Sequence, residues 1–168
     1  MDEAALQLVQ QVLAQHAASL ELYARQWCNS PEDVVQEAIL RLARERPLPD
    51  RPVAWLYCAV RRGALTVARG AARRQRHEGA AARRVPWFSP NAGEALDAEE
   101  ATMALADLPL AEREVVVARL WGGLSFHEIG ELVGCSSSAA HRRYVAALAA
   151  LRERFGVACP PPKNCPQT

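Results

Sequence analysis

Apolar residues recur every three to four positions through most of the chain, and this spacing limits its fold more than any other feature. In the first such stretch, residues 3–27, the apolar stripe consists of Leu6, Val9, Leu13, Leu20 and Tyr23. No segment alternates apolar and polar residues between turn residues, as a half-buried strand would. The sequence therefore predicts an all-α protein.

Proline residues separate the first three predicted helices. The first helix ends before the tripeptide NSP, residues 29–31, in which Ser30 is the predicted N-cap and Pro31 fits the first helical position. The second helix extends to about Glu45. Prolines 47, 49 and 52 then end it and hold an extended loop, and the third helix begins near Pro52.

A segment without a clear period divides the chain in two. Residues 79–93, GAAARRVPWFSPNAG, contain two prolines and two glycines and are predicted to be a linker. The sequence thus predicts two small helical domains, residues 1–78 and 94–156, followed by a disordered Pro- and Cys-containing tail, residues 157–168. The second domain is expected to contain helices over residues 94–106 and 110–121 and then two further helices.

Those last two helices carry the strongest local signals. In GLSFHEIGELVGCSSSAAHRRY, residues 123–144, Ser125 and Glu128 form an S-x-x-E capping box at the start of one helix. Gly134 stands where a left-handed C-terminal cap is needed, and Ser136 is the predicted N-cap of the next helix. Gly130 has no side chain, so a second backbone can approach it closely. The pattern predicts a helix-turn-helix.

The outer face of the final helix suits a DNA groove. A helical wheel places Ser138 and Arg142 opposite the apolar stripe that contains Ala140 and Tyr144. Small hydroxyls and cations at a helix N-terminus are compatible with the major groove and with phosphate. The candidate DNA contacts are Ser137, Ser138, His141, Arg142 and Arg143. The alternative is a helical hairpin with an ordinary polar exterior.

Charge is segregated along the 168 residues, although the formal net charge is only +1. Residues 61–84 contain eight arginines and one acid, whereas residues 1–50 and 94–114 are predominantly acidic. Such segregation indicates separate surfaces for separate partners, one of them a polyanion. A solvated helix face is the alternative explanation for the arginine run.

Several classes of function find no support in the sequence. It offers no catalytic carboxylate pair, no serine with a paired base and no phosphate-cradling loop, so we expect no enzyme and no cofactor. No apolar run approaches a membrane span and the N-terminus is acidic, so we expect a cytoplasmic monomer without membrane insertion. Cys28 and Cys58 are predicted to be small buried apolar groups, and no metal site is assigned. A thiol or metal sensor built on Cys159 and Cys165 remains an alternative.

The helix-turn-helix resembles the promoter-binding domain of extracytoplasmic function (ECF) sigma factors of bacterial RNA polymerase. The resemblance begins at Leu108-Pro109 and includes GLS at residues 123–125, EIG at residues 128–130 and a helix that ends in LRER at residues 151–154. The N-terminal half is similar to the same family. SPEDVVQEAILRLARE, residues 30–45, resembles the polymerase-binding helix, and residues 53–78 resemble the promoter-melting helix.

The resemblance implies a sigma factor that binds core RNA polymerase, recognises two promoter elements and promotes DNA melting. Asp33, Gln36 and Glu37 share one helix face, which would contact the β′ clamp helices. The second domain would contact the β flap and read the upstream element. An anti-sigma factor is a further partner that the family implies.

The resemblance also implies that the basic segment handles the downstream promoter element and its melting. The residues assigned to this surface are Arg61, Arg62, Arg69, Arg73, Arg74 and Arg76. The loop of residues 47–52 resembles the family loop that captures a flipped base. Arg62 and Thr66 stand where the family frequently has Asn and Asp. A sigma-like helix-turn-helix regulator that acts without polymerase is therefore kept as an alternative.

Overall fold

The computed structural model describes residues 3–78 and 103–156, and within these ranges the chain is helical without a strand. The elements are α1 (Glu3–Ala24), α2 (Pro31–Arg44), α3 (Pro52–Glu78), a helical segment at residues 103–107 (α4), α5 (Leu110–Leu120), α6 (Phe126–Val133) and α7 (Ser137–Arg154). The all-α prediction is confirmed. In the described part of the chain, no helix combines the length and apolarity that crossing a bilayer requires.

Helices α1, α2 and α3 pack on one another and form the first half of the molecule. Their shared core contains Leu20, Leu42, Leu56 and Val60, all with no exposed surface. The predicted stripe of α1 is only partly buried, since Leu13 keeps 39 % of its surface exposed while Tyr23 is fully buried. Burial of a side chain the size of leucine contributes about 1.5–3 kcal/mol, so this stripe fixes the orientation of α1 on its neighbours.

Helices α5, α6 and α7 form the second half. Ile129 on α6 and Ala140 and Ala147 on α7 are fully buried between them. A small second cluster lies under α4, where Leu105 and Leu108 pack with Val116. Asp107, the last residue of α4, forms an ion pair with Arg154 at the end of α7. The small alanines of α7 let α5 and α6 pack closely against α7.

The two halves are in direct contact. Helix α1 lies against α5, and α3 lies against α6. The Tyr57 ring of α3 packs so closely on Gly122 that a Cβ at Gly122 would clash with it. Arg51 Nη1 lies 3.8 Å from Glu128 Oε1. Apolar residues of both halves join in one continuous core cluster. The sequence predicts two domains but gives no indication of this contact.

Three local predictions need correction or restriction. Ser30 occupies the N-cap position of α2, but its side chain accepts no capping hydrogen bond; the buried Pro31 at the first helical position defines the helix start instead. The predicted linker, residues 79–93, and the tail, residues 157–168, lie outside the described residues.

Candidate nucleic-acid interface

The turn of the helix-turn-helix is fixed by side-chain caps and by glycine. The Ser125 hydroxyl accepts from the Glu128 amide, and the Ser125 amide donates to the Glu128 carboxylate at 2.8 Å, which completes the predicted capping box. Gly134 ends α6 with φ 73°, a left-handed conformation that glycine adopts without strain. A Cβ at Gly130 would lie 2.6 Å from the Cys135 carbonyl oxygen, so the predicted close approach is confirmed.

The same contacts hold the Glu128 carboxylate in its charged form. Its hydrogen bond from the Ser125 hydroxyl is the main cause that lowers the pKa of Glu128, and the nearby Arg51 acts in the same direction. Ser136 begins α7 and accepts from the Ala139 amide at 3.2 Å, as predicted. Both helices of the motif therefore start at side-chain caps, which determine the angle of α7.

The outer face of α7 carries most of the predicted DNA contacts. Ser137, Ser138, His141 and Arg142 are exposed, and Arg143 is half-buried. Ala140 and Ala147 on the opposite face have no exposed surface. The helical wheel thus predicted the direction of this face correctly. The first turn of α7 presents free backbone amides beside the serine hydroxyls, an arrangement that favours an anion.

The His141 ring contacts a cluster of Phe126 and Arg119 that the sequence does not predict. The Phe126 ring meets the His141 ring edge-on, with centroids 4.9 Å apart, and the Arg119 guanidinium lies 4.9 Å above the Phe126 centroid. Arg119 also donates to the Leu124 carbonyl oxygen at 2.7 Å. These contacts orient one of the five predicted reading residues. Nothing in the sequence links Phe126 on α6 to Arg119 on α5.

Helix α3 presents a row of exposed guanidinium groups. The exposed members of the predicted set are Arg62, Arg69, Arg73, Arg74 and Arg76. Arg62 and Arg76 each donate from Nε to a carbonyl oxygen one turn earlier in the helix, which leaves their terminal nitrogens directed outward. The Thr66 hydroxyl donates to the Arg62 carbonyl oxygen. This row is a cationic surface of the kind that neutralises phosphate.

Arg61 differs from the rest of the row. Its side chain is 29 % exposed, and its Nε donates to Glu114 Oε1 of α5 at 2.5 Å. The Tyr23 hydroxyl of α1 donates to the same oxygen at 2.6 Å. Glu114 and Tyr23 were not among the predicted site residues. The only signal in the sequence is the position of Glu114 directly before the apolar run VVVA, residues 115–118.

The predicted polymerase-binding residues share an exposed face of α2. Asp33, Gln36 and Glu37 are all exposed, and Glu37 pairs with Arg41 at 2.9 Å. Asp33 and Glu37 border a groove of ≈ 310 Å³ whose floor is formed by small apolar residues of α2 and α3. The opposite rim carries Arg62. The arrangement combines an acidic edge with an apolar floor, which suits a partner helix with arginines beside apolar side chains.

The cysteines in the described part of the chain are free thiols. Cys28 is buried as predicted, whereas Cys58 and Cys135 are half-buried. Burial raises the pKa of the Cys28 and Cys58 thiols, so neither is an activated thiolate. Residues 3–78 and 103–156 contain no cluster of His, Cys, Asp and Glu that could hold a metal ion. Cys159 and Cys165 lie outside the described residues.

Comparison with known proteins agrees with this arrangement. Residues 104–153 match the family model described as Sigma-70, region 4. The sigma factor RpoE from Bartonella quintana, solved in complex with the anti-sigma factor NepR, has a similar structure. It is 21 % identical, with a TM-score of 0.69, over 88 % of this chain and 96 % of the other. CnrH, solved in complex with the cytosolic domain of CnrY, is 22 % identical with a TM-score of 0.58, over 92 % and 91 %. No curated protein sequence matches the chain significantly.

Residues 104–153 are thus similar to sigma-70 region 4, and the chain as a whole has a fold similar to that of the sigma factor RpoE. The resemblance to ECF sigma factors noted in the sequence is confirmed. The family model covers the second half, and the structural similarity extends over both halves.

Proposed function

We propose that this protein is a sigma factor that directs core RNA polymerase to promoters through two DNA-binding surfaces and helps to melt the downstream one. The observation that carries the proposal is the region 4 match at residues 104–153, whose recognition helix α7 presents exposed serines, His141 and Arg142 to the outside. The fold similarity of the entire chain supports it.

In this proposal α7 reads the upstream promoter element. Arginine and histidine donate to base-edge acceptors, while Ser137 and Ser138 at the helix N-terminus contact phosphate and fix the register. The cluster of Phe126 and Arg119 keeps the His141 ring in a defined orientation. The position of α7 depends on the two helix caps at Ser125 and Ser136, so specificity depends on them as well.

The basic row on α3 would follow the backbone of the downstream element. Each of its five exposed guanidiniums can replace a counterion condensed on the DNA. The logarithm of the DNA association constant then falls linearly with the logarithm of the salt concentration, with a slope of about −0.9 per phosphate neutralised. Arg62 contributes to this row as an additional cation where the family frequently has Asn. The loop at residues 47–52 would hold an unstacked base, which favours the melted strand.

Polymerase would dock on the face of Asp33, Gln36 and Glu37. The Glu37–Arg41 pair is solvent-exposed, and exposed pairs contribute about 0–1 kcal/mol, so a partner arginine can displace Arg41 at little cost. The RpoE–NepR complex supports the further proposal that an anti-sigma factor binds this protein too.

The direct test is transcription by the purified protein with core polymerase on a pool of genomic DNA fragments. We expect discrete start sites. Replacing Asp33, Gln36 and Glu37 with alanine should abolish them and weaken capture of core polymerase, because an acidic docking face is lost. Glu32→Ala is the matched control, since Glu32 is an exposed acid of the same helix that pairs with Arg25 instead. The absence of any promoter-specific transcript would refute the proposal.

Capture of core polymerase also distinguishes a sigma factor from the alternative, a helix-turn-helix regulator that acts without polymerase. In that case the protein would bind DNA through α7, and core polymerase would not be captured by the wild type. Arg142→Ala should lower affinity for a selected DNA site, whereas Arg152→Ala, an exposed arginine at the far end of α7, should have a smaller effect.

A further inference from the structure

The contact between the two halves contains a buried polar cluster, consisting of Tyr23 on α1, Arg61 on α3 and Glu114 on α5. Glu114 Oε1 accepts hydrogen bonds from the Tyr23 hydroxyl and from Arg61 Nε, at 2.6 and 2.5 Å. The Glu114 side chain is 6 % exposed. Among residues whose burial is described, it is the one charged residue in the core. Trp27 borders the cluster, with Arg61 6.0 Å from its ring centroid.

Both partners of Glu114 in this cluster come from the opposite half. A buried carboxylate is unfavourable unless it is paired and hydrogen-bonded, so the burial of Glu114 depends on the contact between the halves. Burial and the Glu114 carboxylate raise the pKa of Tyr23 well above its ordinary value. Burial alone would lower the pKa of Arg61, but the Glu114 carboxylate outweighs it and raises that pKa.

Separation of the halves would return Arg61 and Glu114 to water, where each is well solvated. The polar cluster is one part of a contact that also includes apolar residues of both halves.

Arg61 also begins the basic row of α3, directly before the exposed Arg62. A guanidinium binds carboxylate and phosphate with the same fork geometry. In the closed arrangement the Glu114 carboxylate therefore occupies the Arg61 Nε that would otherwise be available to a nucleic-acid phosphate. The remaining arginines of the row are exposed and do not share this constraint.

We propose that Tyr23, Arg61 and Glu114 form a latch that holds the two halves closed, with Glu114 acting as an internal competitor that withholds Arg61 from DNA phosphate. The proposal rests on the proposed function, because it assigns a nucleic-acid role to the α3 row. Opening the latch separates the halves and adds one cation to the DNA-binding surface in the same step.

The test combines small-angle scattering of the full-length protein with fluorescence anisotropy on random-sequence duplex and single-stranded DNA. Glu114→Gln removes the charge but keeps the shape, and Tyr23→Phe removes only one hydrogen bond. Glu112→Gln is the matched control, an acid of the same helix outside the cluster. Circular dichroism verifies that each variant is folded.

We expect Glu114→Gln to increase the radius of gyration and to raise DNA affinity by about tenfold, as the loss of a charge-assisted hydrogen bond implies. Tyr23→Phe should change both quantities in the same direction but less. Glu112→Gln should leave the radius unchanged. In the Arg61→Gln background, Glu114→Gln should give no further gain in DNA affinity, because the residue it releases is absent.

Two results would overturn the latch. One is a folded Glu114→Gln variant with the radius and DNA affinity of the wild type. The other is an equal gain in affinity for Glu112→Gln, which would indicate a general effect of net charge. Both measurements are made without polymerase, so failure of promoter-specific transcription would contradict the proposed function separately from the latch.

Discussion

Replacement of Gly122 by alanine tests how tightly the two halves are packed. A Cβ at this position would lie 2.5 Å from the Ala118 carbonyl oxygen, 2.7 Å from Tyr57 Cζ and 2.8 Å from the Tyr57 hydroxyl oxygen. Tyr57 has no exposed surface, and its ring meets the Tyr23 ring at 4.9 Å, so it has no free space into which to move. Burial also raises the pKa of Tyr57 to about 12, so its hydroxyl stays neutral.

The magnitude follows from two opposing effects. Overpacking of a filled core costs about 1–3 kcal/mol. Restriction of the unfolded chain by alanine offsets about 0.4–1 kcal/mol of this cost. From the middle of each range, the net loss of unfolding free energy is about 1.3 kcal/mol. For a chain of this length it should lower Tm by roughly 3–5 °C in thermal unfolding followed by circular dichroism.

Gly70→Ala is the matched control, because its effect should have the opposite sign. Gly70 lies within α3, and a Cβ there would meet only the Arg74 guanidinium, at an ordinary distance of 3.5 Å. Alanine in a helix interior is about 0.5–1 kcal/mol more stable than glycine. Tyr57→Phe should recover part of the loss in the Gly122→Ala background. A Gly122→Ala protein that melts at or above the wild type, with Gly70→Ala stabilised as expected, would refute the packing argument.

Three further predictions concern the helix-turn-helix. Ser125→Ala should lower the free energy of unfolding by about 1 kcal/mol, measured by urea denaturation, because the capping box is lost. The pKa of Glu128 is lowered in the folded state, so its contribution is present above its ordinary value near 4.5 and is lost as the pH falls through the folded pKa. The stability difference between the wild type and Glu128→Gln should accordingly shrink on acidification, and a constant difference would contradict this. Arg142→Ala should weaken binding to the selected DNA site and leave the slope of log K against log salt unchanged, because Arg142 is assigned to a base edge; a slope reduced by about one would indicate a phosphate contact instead.

The local structure of the helix-turn-helix was predictable because its signals act over a few residues. Ser125, Glu128, Gly134 and Ser136 cap helices through bonds to backbone groups that are at most four residues away. The direction of α7 follows from a helical period that fixes which side chains share a face. Ser30 shows the limit of this reasoning. Its residue type suits an N-cap, but its observed backbone, φ −127° and ψ 63°, accompanies a side chain that makes no cap bond.

The sequence by itself determined the helices, the caps of α6 and α7, the exposed face of α7 and the cationic row of α3, since each depends on residue type and spacing within one element. Only the tertiary structure decided that Arg61 leaves this row to pair with Glu114, a residue 53 positions away. It also decided that the Tyr23 hydroxyl donates to Glu114 and that the Tyr57 ring packs against Gly122. A helical period predicts which side chains are buried but not what they meet, because the partners are chosen by how the two halves pack. The same arginine can therefore be predicted as a DNA contact and be found closing the interface between the halves.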